Sequence, residues 1–279
     1  MALDQVQDID EKEMSFLDHL EELRWHLIRS VLAIVAFSIL AFWAKDFVWN
    51  EIIFGPTKSD FWTYRKLCEL AEYLSSPLLC LGTDIPIDIQ NRQITGQFTL
   101  HIKSSLLVGL VMAFPYAFWE IWRFIKPGLR KQEKRASRGA VLVVTFLFLL
   151  GISFGYFIVT PLSINFLANY TLSDVIQNII DINSLVGLVS TLALACGVMF
   201  QLPVITYFLS KAGIINPRIM KAYRRHSIVV ILVISAIITP PDVISQLLIA
   251  LPLLILYEIS IVISRRIEKR AEKAENSEE

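Results

Sequence analysis

Long stretches without charge, each followed by a short charged segment, dominate the pattern of hydrophobic and polar positions along this chain. A stretch of about 20 apolar residues is long enough to cross the hydrocarbon core of a bilayer as a helix. We therefore predict an all-α integral membrane protein with six transmembrane helices, whose spans cover about 27–49, 104–122, 139–167, 183–210, 227–239 and 243–264. The composition agrees with this class, because 54% of the residues are hydrophobic and the mean hydropathy is +0.55.

The last two predicted spans are short and are joined by a tight turn. The sequence IITPPDVISQLLIALPLLILYE (237–258) places a Pro-Pro-Asp turn between two apolar runs, and the run 227–239 has only 13 residues. Runs of this length also form re-entrant loops. We favour a short transmembrane hairpin, because arginine pairs flank both of its open ends, at 224–225 and 265–266. Such a hairpin would fit a locally thinned membrane.

Lysine and arginine are concentrated on one side of the predicted spans. The N-terminal segment holds 3 of them, the 123–138 loop 7, the 211–226 loop 5 and the tail 265–279 another 5, which makes 20 of the 26 in the chain. Cytoplasmic segments of membrane proteins are enriched in these residues. We therefore predict a single membrane domain, 1–279, in the cytoplasmic (inner) membrane, with both termini cytoplasmic and the 50–103 loop outside.

Two of the three cysteines lie together in the outward loop. An oxidising compartment would permit a disulfide between Cys68 and Cys80, whereas Cys196 lies among apolar residues of the fourth span and is expected to be inert packing. The sequence leaves the bridge open as one of two alternatives. In the same loop, 48–54 and 61–81 are predicted to form helical pieces that cap the outer face.

Residue patterns that resemble catalytic motifs have a simpler explanation here. The five residues Gly151–Gly155 match G-x-S-x-G, but that motif has meaning only on a strand-to-helix turn. They also match G-x-x-x-G, which lets two membrane helices approach closely, and Ala193 and Gly197 repeat the small-residue spacing. No histidine pair has metal-ligand spacing. We therefore predict no enzyme, no metal, no cofactor and no nucleic-acid partner.

Several acids and amides lie where burial makes a polar group costly, so each is a functional candidate. Glu22 lies at the start of the first span and Glu133 lies in the cationic 123–138 loop. For both, local ion pairing is the alternative, with His26 for Glu22 and with neighbouring cations for Glu133. The candidates in or near the membrane are Gln201, Gln246, Glu258, Asp242 and Glu120. Hydrogen bonding between helices is the alternative for the two glutamines.

The chain resembles the TatC family, the polytopic subunit of the twin-arginine protein translocase. The matching segments occur in order along nearly the whole chain and read FLDHLEELR (16–24), FIKPGLRKQEKR (124–135), FGYFIVTPLSINFL (154–167), GVMFQLPV (197–204) and TPPDVISQLLIALPLLILYE (239–258). This resemblance implies six helices in a concave bundle and a receptor for the twin-arginine signal peptides of folded export substrates.

The resemblance also assigns roles to particular residues and partners. Glu22 and Glu133 match the family's signal-recognition glutamates, and Arg24 and Phe124 fall at positions associated with the same cytoplasmic surface. Gln201 stands where the family often has Glu, so it can bond a partner helix but cannot supply a charge. The implied partners are membrane lipid, TatA-type and TatB-type single-span proteins, and further copies of the chain. The implied driving force is the proton motive force.

Two other classes of function compete with this interpretation. A polytopic secondary transporter of a small solute would need several ionisable groups near the midplane, whereas this chain offers mostly isolated amides. An intramembrane hydrolase would need a base beside Ser153, which the sequence does not supply.

Overall fold

The computed structural model describes residues 16–75, 80, 88–125, 139–173, 175, 178–239 and 243–275, and helices dominate this part of the chain. The longer helices are α1 (Phe16–Trp43), α4 (Gly96–Ile125), α5 (Ala140–Phe154), α6 (Thr160–Asn169), α7 (Ile182–Met199), α8 (Leu202–Lys211), α10 (Arg224–Ile238) and α11 (Val243–Glu275). The shorter helices are α2 (Lys45–Phe47), α3 (Trp62–Tyr73) and α9 (Pro217–Ala222), and the strands are β1 (Asp88–Gln90) and β2 (Ile179–Asp181).

Five helical stretches within the described residues are long and apolar enough to cross a membrane. They are Glu21–Trp43, Gly96–Ile125, Ala140–Asn169, Ile182–Lys211 and Ser245–Arg270. Helix α10, which corresponds to the fifth predicted span, has 15 residues. At 1.5 Å per residue it is about 22 Å long, less than the roughly 30 Å of a typical hydrocarbon core. The sixth span therefore stays a prediction.

The observed helix bounds differ from the predicted spans mainly at charged ends. Helix α1 begins well before residue 27 and stops at Trp43, α4 begins at Gly96 inside the predicted outward loop, and α11 continues past residue 264 to Glu275. An uncharged run underestimates the length of its helix, because long cationic side chains can continue the helix while their charged heads reach water. The Pro-Pro-Asp turn at 240–242 lies outside the described residues.

Helices α1 and α4 run antiparallel and pack along their lengths. His26 of α1 contacts Glu120 at one end of this seam, and Phe42 stacks on His101 at the other end with 3.9 Å between ring centroids. Between these ends the backbones approach closely, since a Cβ built on Gly109 would lie 2.7 Å from the Cα of Ser38. Only glycine fits at this crossing.

The G-x-x-x-G pair of the third predicted span is confirmed as a helix-packing motif. A Cβ on Gly151 would lie 2.6 Å from the carbonyl oxygen of Cys196, and one on Gly155 would lie 2.7 Å from that of Leu192. Helix α5 therefore packs directly against the backbone of α7. After Gly155 the helix continues through a π-helical turn, Gly155–Val159, into α6.

The fourth predicted span is broken into two helices. Helix α7 ends at Met199, Phe200 and Gln201 form a turn, and α8 begins at Leu202 with Pro203 in its first turn, where a proline is tolerated. Pro115 and Pro252, by contrast, lie inside continuous helices. Buried side chains from several helices meet in this region and form an apolar core that includes Val159, Leu192, Cys196, Ile231, Ile249 and Leu253.

The described residues between α1 and α4 form a cap that packs on the helices. A π-helical turn, Val48–Ile53, and helix α3 occupy the two predicted helical pieces, although α3 ends at Tyr73 rather than near residue 81. Cys68 and Cys80 form a disulfide. The buried hydroxyl of Tyr64 donates to the carbonyl of Pro161 at 2.7 Å, so α3 is tied to the start of α6.

A short parallel pair of strands, which the sequence pattern did not predict, also joins the cap to the bundle. Ile89 of β1 pairs with Ile180 of β2. Asp181 at the end of β2 caps α7, because its carboxylate accepts the backbone N–H of Asn183 at 2.8 Å. Hydrogen bonds from the side-chain amide and the backbone N–H of Asn183 lower the pKa of Asp181.

The glycine packing yields a prediction about stability. Gly151→Ala should lower the melting temperature in detergent by several degrees, because its Cβ would meet the Cys196 carbonyl and the Gly197 backbone and cost about 1–3 kcal/mol. Gly187→Ala is the matched control, since it also lies inside a helix and its Cβ would meet nothing within 4 Å. Both variants gain similar helix propensity. Equal melting temperatures for the two would contradict this packing.

Candidate functional site

A buried acid and a buried histidine meet where α1 and α4 pack near Glu22. Glu120 is 1% exposed and His26 is 6% exposed, and 2.5 Å separates Glu120 Oε2 from His26 Nδ1. Burying a carboxylate is costly unless it is paired. The pairing is completed by the guanidinium groups of Arg29 and Arg123, each of which has an Nη1 3.9 Å from a Glu120 oxygen.

Glu22 lies one helical turn before His26 on the same face of α1. Its Oε1 is 3.8 Å from His26 Nε2. Its Oε2 is buried and has no hydrogen-bond partner among the described residues. The Glu22 side chain as a whole is 36% exposed. An unsatisfied carboxylate oxygen at such a boundary is suited to accept N–H groups from a ligand.

The other three predicted recognition residues have different outcomes. Phe124 lies near His26, with 6.4 Å between the two ring centroids. Arg24 is exposed on α1, and residues two apart on a helix point in different directions, so it does not join Glu22 on one face. Glu133 lies outside the described residues.

The amides predicted in the membrane make hydrogen bonds between helices. Gln201, in the turn between α7 and α8, donates from Nε2 to the carbonyl of Val144 on α5 at 3.2 Å. Its Oε1 is buried without a partner among the described residues. Gln246 donates to the carbonyl of Leu232 at 3.1 Å and so joins α11 to α10.

The two acids predicted in or near the last span, Glu258 and Asp242, have different outcomes. Glu258 is half exposed and pairs with Arg224 at 2.8 Å, so it is not an isolated carboxylate inside the bundle. Asp242 lies outside the described residues. Within the described part of the chain, no three His, Cys, Asp or Glu side chains lie close enough together to hold a metal ion.

The sequence did not reveal that Glu120 is the partner that holds His26. The two residues are 94 positions apart, so no local periodicity links them. The signal in the sequence that could have indicated this pairing was an acid, Glu120, at the end of one apolar run, together with basic residues at the start of another. Since buried charges are usually paired, a basic partner for this acid would be expected on a neighbouring helix.

The fold and the site define a polytopic helical membrane protein with a carboxylate site near one end of its first two long helices. Residues 18–252 match the family model described as Sec-independent protein translocase protein (TatC). The chain belongs to this family, which is a family of protein translocase components rather than of enzymes.

Curated relatives and solved structures resemble the chain over nearly its full length. A TatC from a Blattabacterium of Periplaneta americana is 39% identical and covers 94% of this chain and 98% of that protein. The Aquifex aeolicus TatC is 36% identical over 94% of this chain and 100% of that protein. A crystal structure titled twin arginine translocase receptor TatC, in DDM, has a TM-score of 0.68 and 35% identity over 88% of this chain and 99% of that one.

Proposed function

We propose that this chain is the signal-peptide receptor and core subunit of a twin-arginine translocase, and that Glu22 accepts an arginine of the signal peptide. The observation that carries this proposal is the Oε2 atom of Glu22, which is buried and unpartnered within the described structure, on a side chain that is 36% exposed. Family membership supports the same conclusion. The proposal includes a cytoplasmic-membrane location with both termini cytoplasmic, as the lysine and arginine distribution predicts.

The chemistry of recognition follows from the shape of the guanidinium group. Arginine presents a planar fork of N–H donors that a carboxylate accepts at both oxygens, whereas lysine offers a point charge. Each charge-assisted hydrogen bond contributes about 1.5–3 kcal/mol. Since about 1.4 kcal/mol is a factor of ten, a pair of arginines should be favoured over a pair of lysines by roughly ten- to a thousandfold.

A second carboxylate is needed for the second arginine, and Glu133 is the proposed one. It matches the family's second recognition glutamate and is surrounded by seven cations in the 123–138 loop. We propose that Arg130, Lys131 and Lys134 turn toward lipid headgroups while Glu133 faces the peptide. A crosslink between the peptide's arginine pair and the 130–134 segment that survives Glu133→Gln would count against this arrangement.

The arginine specificity leads to a binding prediction. Glu22→Gln should weaken the binding of a fluorescent RR signal peptide at least tenfold and should remove most of its preference over a KK peptide, because the neutral amide offers only one acceptor oxygen. The measurement is fluorescence anisotropy with the protein in nanodiscs. Glu21→Gln is the matched control and should bind as the wild type does, since Glu21 is the adjacent, exposed acid. Equal wild-type affinity for RR and KK would overturn the proposal.

Association with single-span TatA-type and TatB-type proteins is the second part of the proposed function. Gln201 Oε1 is buried without a described partner. An apolar groove of about 420 Å³ is lined by Val143, which adjoins the Val144 that Gln201 bonds, and by side chains that include Leu147, Val204, Tyr207 and Ile259. A partner helix with a polar side chain could fill this groove and donate to Gln201. Further copies of the chain and membrane lipid are proposed partners too, and the proton motive force is the proposed driving force.

The groove leads to a prediction about partner binding. Gln201→Leu should reduce co-purification of a TatA-type protein severalfold, because the acceptor is lost and a polar group of the partner would be left unpaired in the membrane. Gln201→Glu keeps an acceptor oxygen and should retain the partner. Gln246→Leu is the control for general loss of helix packing, since Gln246 bonds within the bundle. Unchanged co-purification with Gln201→Leu would exclude this site.

A further inference from the structure

The ring of His26 lies between two carboxylates on its two nitrogen atoms. Nδ1 is 2.5 Å from Glu120 Oε2, and Nε2 is 3.8 Å from Glu22 Oε1. A neutral imidazole has one N–H group and one lone pair, whereas the imidazolium form has an N–H on each nitrogen. Only the protonated ring can therefore attract both carboxylates at once.

Groups from both helices fix the position of this ring. His26 is 6% exposed, and its Nδ1 is held by Glu120 from α4. Glu120 is held in turn by the guanidinium groups of Arg29 on α1 and Arg123 on α4 and by the hydroxyl of Tyr116. Among the side chains that the structure describes on the two packed helices, the charged and titratable groups facing the cluster are Glu120, Arg29, Arg123, Tyr116 and Glu22. The ring position is set by α4, although the recognition carboxylate belongs to α1.

Glu22 would be mobile without a neighbour of this kind. A glutamate side chain near a helix end has several rotamers, and fixing it on binding a ligand costs conformational entropy. The contact with Nε2 directs Oε1 toward His26, and Oε2 then lies buried and unpartnered within the described structure. The contact therefore restricts the rotamers of Glu22 before a peptide arrives.

We propose that His26, anchored by Glu120, is a positioning residue for twin-arginine recognition and that its protonated ring holds Glu22 ready to accept a guanidinium group. This inference rests on the proposed function of Glu22 and adds two residues that do not touch the peptide. It also makes recognition sensitive to pH, because a neutral ring that keeps its Nδ1–H bond to Glu120 would turn a lone pair toward Glu22.

The test measures the dissociation constant of an RR peptide without histidine, between pH 5.5 and 8.5, with the protein in nanodiscs. For the wild type, the dissociation constant should rise three- to tenfold over this range. His26→Arg keeps a permanent cation between the carboxylates, so its binding should stay tight and independent of pH. His26→Gln should bind three- to tenfold more weakly at every pH.

Several results would overturn the positioning role. A wild-type affinity that stays constant or increases with pH would do so, since an increase would mean that the imidazolium competes with arginine for Glu22. A pH dependence of His26→Arg equal to that of the wild type would do so as well. If His26→Gln fails to fold, the comparison of the pH dependence of His26→Arg with that of the wild type still tests the positioning role.

Glu22→Gln separates this inference from the proposed function. If Glu22→Gln abolishes the RR preference while the His26 variants behave as the wild type does, only the positioning role fails. If the wild type shows no RR preference at any pH, the proposed function itself fails, and the positioning role fails with it.

Discussion

The carboxylate of Glu120 lies almost fully out of solvent near the end of an apolar helix, and the surrounding structure has to compensate its charge there. An uncompensated buried charge would cost about 3–5 kcal/mol. The compensation comes from His26, Arg29 and Arg123, so it requires α1 and α4 to meet in one register. The same register brings Glu22 and Phe124 to one place. The proposed recognition site is therefore a consequence of how a buried acid is paired.

Close backbone contacts hold other helices of the bundle together. Gly109 allows α1 to pack closely against α4, and Gly151 and Gly155 allow α5 to pack closely against α7. Lipid offers no hydrophobic gain for joining two apolar helices, so small residues that increase van der Waals contact take on this role. The break at Gln201 and the short helix α10 depart from regular spans. Both lie in the part of the chain where partner binding and membrane thinning are proposed.

Features encoded locally could be predicted from the sequence, and features that depend on distant residues could not. Hydropathy located the long helices, and the spacing of Gly151 and Gly155 predicted close packing, because both signals lie within one helix. Helix ends were misplaced where Arg24 or Lys103 extends a helix beyond its uncharged run. The pairing of His26 with Glu120 and of β1 with β2 joins residues about 90 positions apart, so no local pattern revealed either contact.

The central claim is that the arginine pair of a signal peptide docks at the seam between α1 and α4 beside Glu22. The most direct measurement is photocrosslinking with a reactive residue placed next to the arginine pair, followed by mass spectrometry of the adducts. Adducts are expected within 22–26 and 120–124 for an RR peptide, and their yield should be strongly reduced for a KK peptide. Adducts on the outer cap, or equal yields for RR and KK, would contradict it.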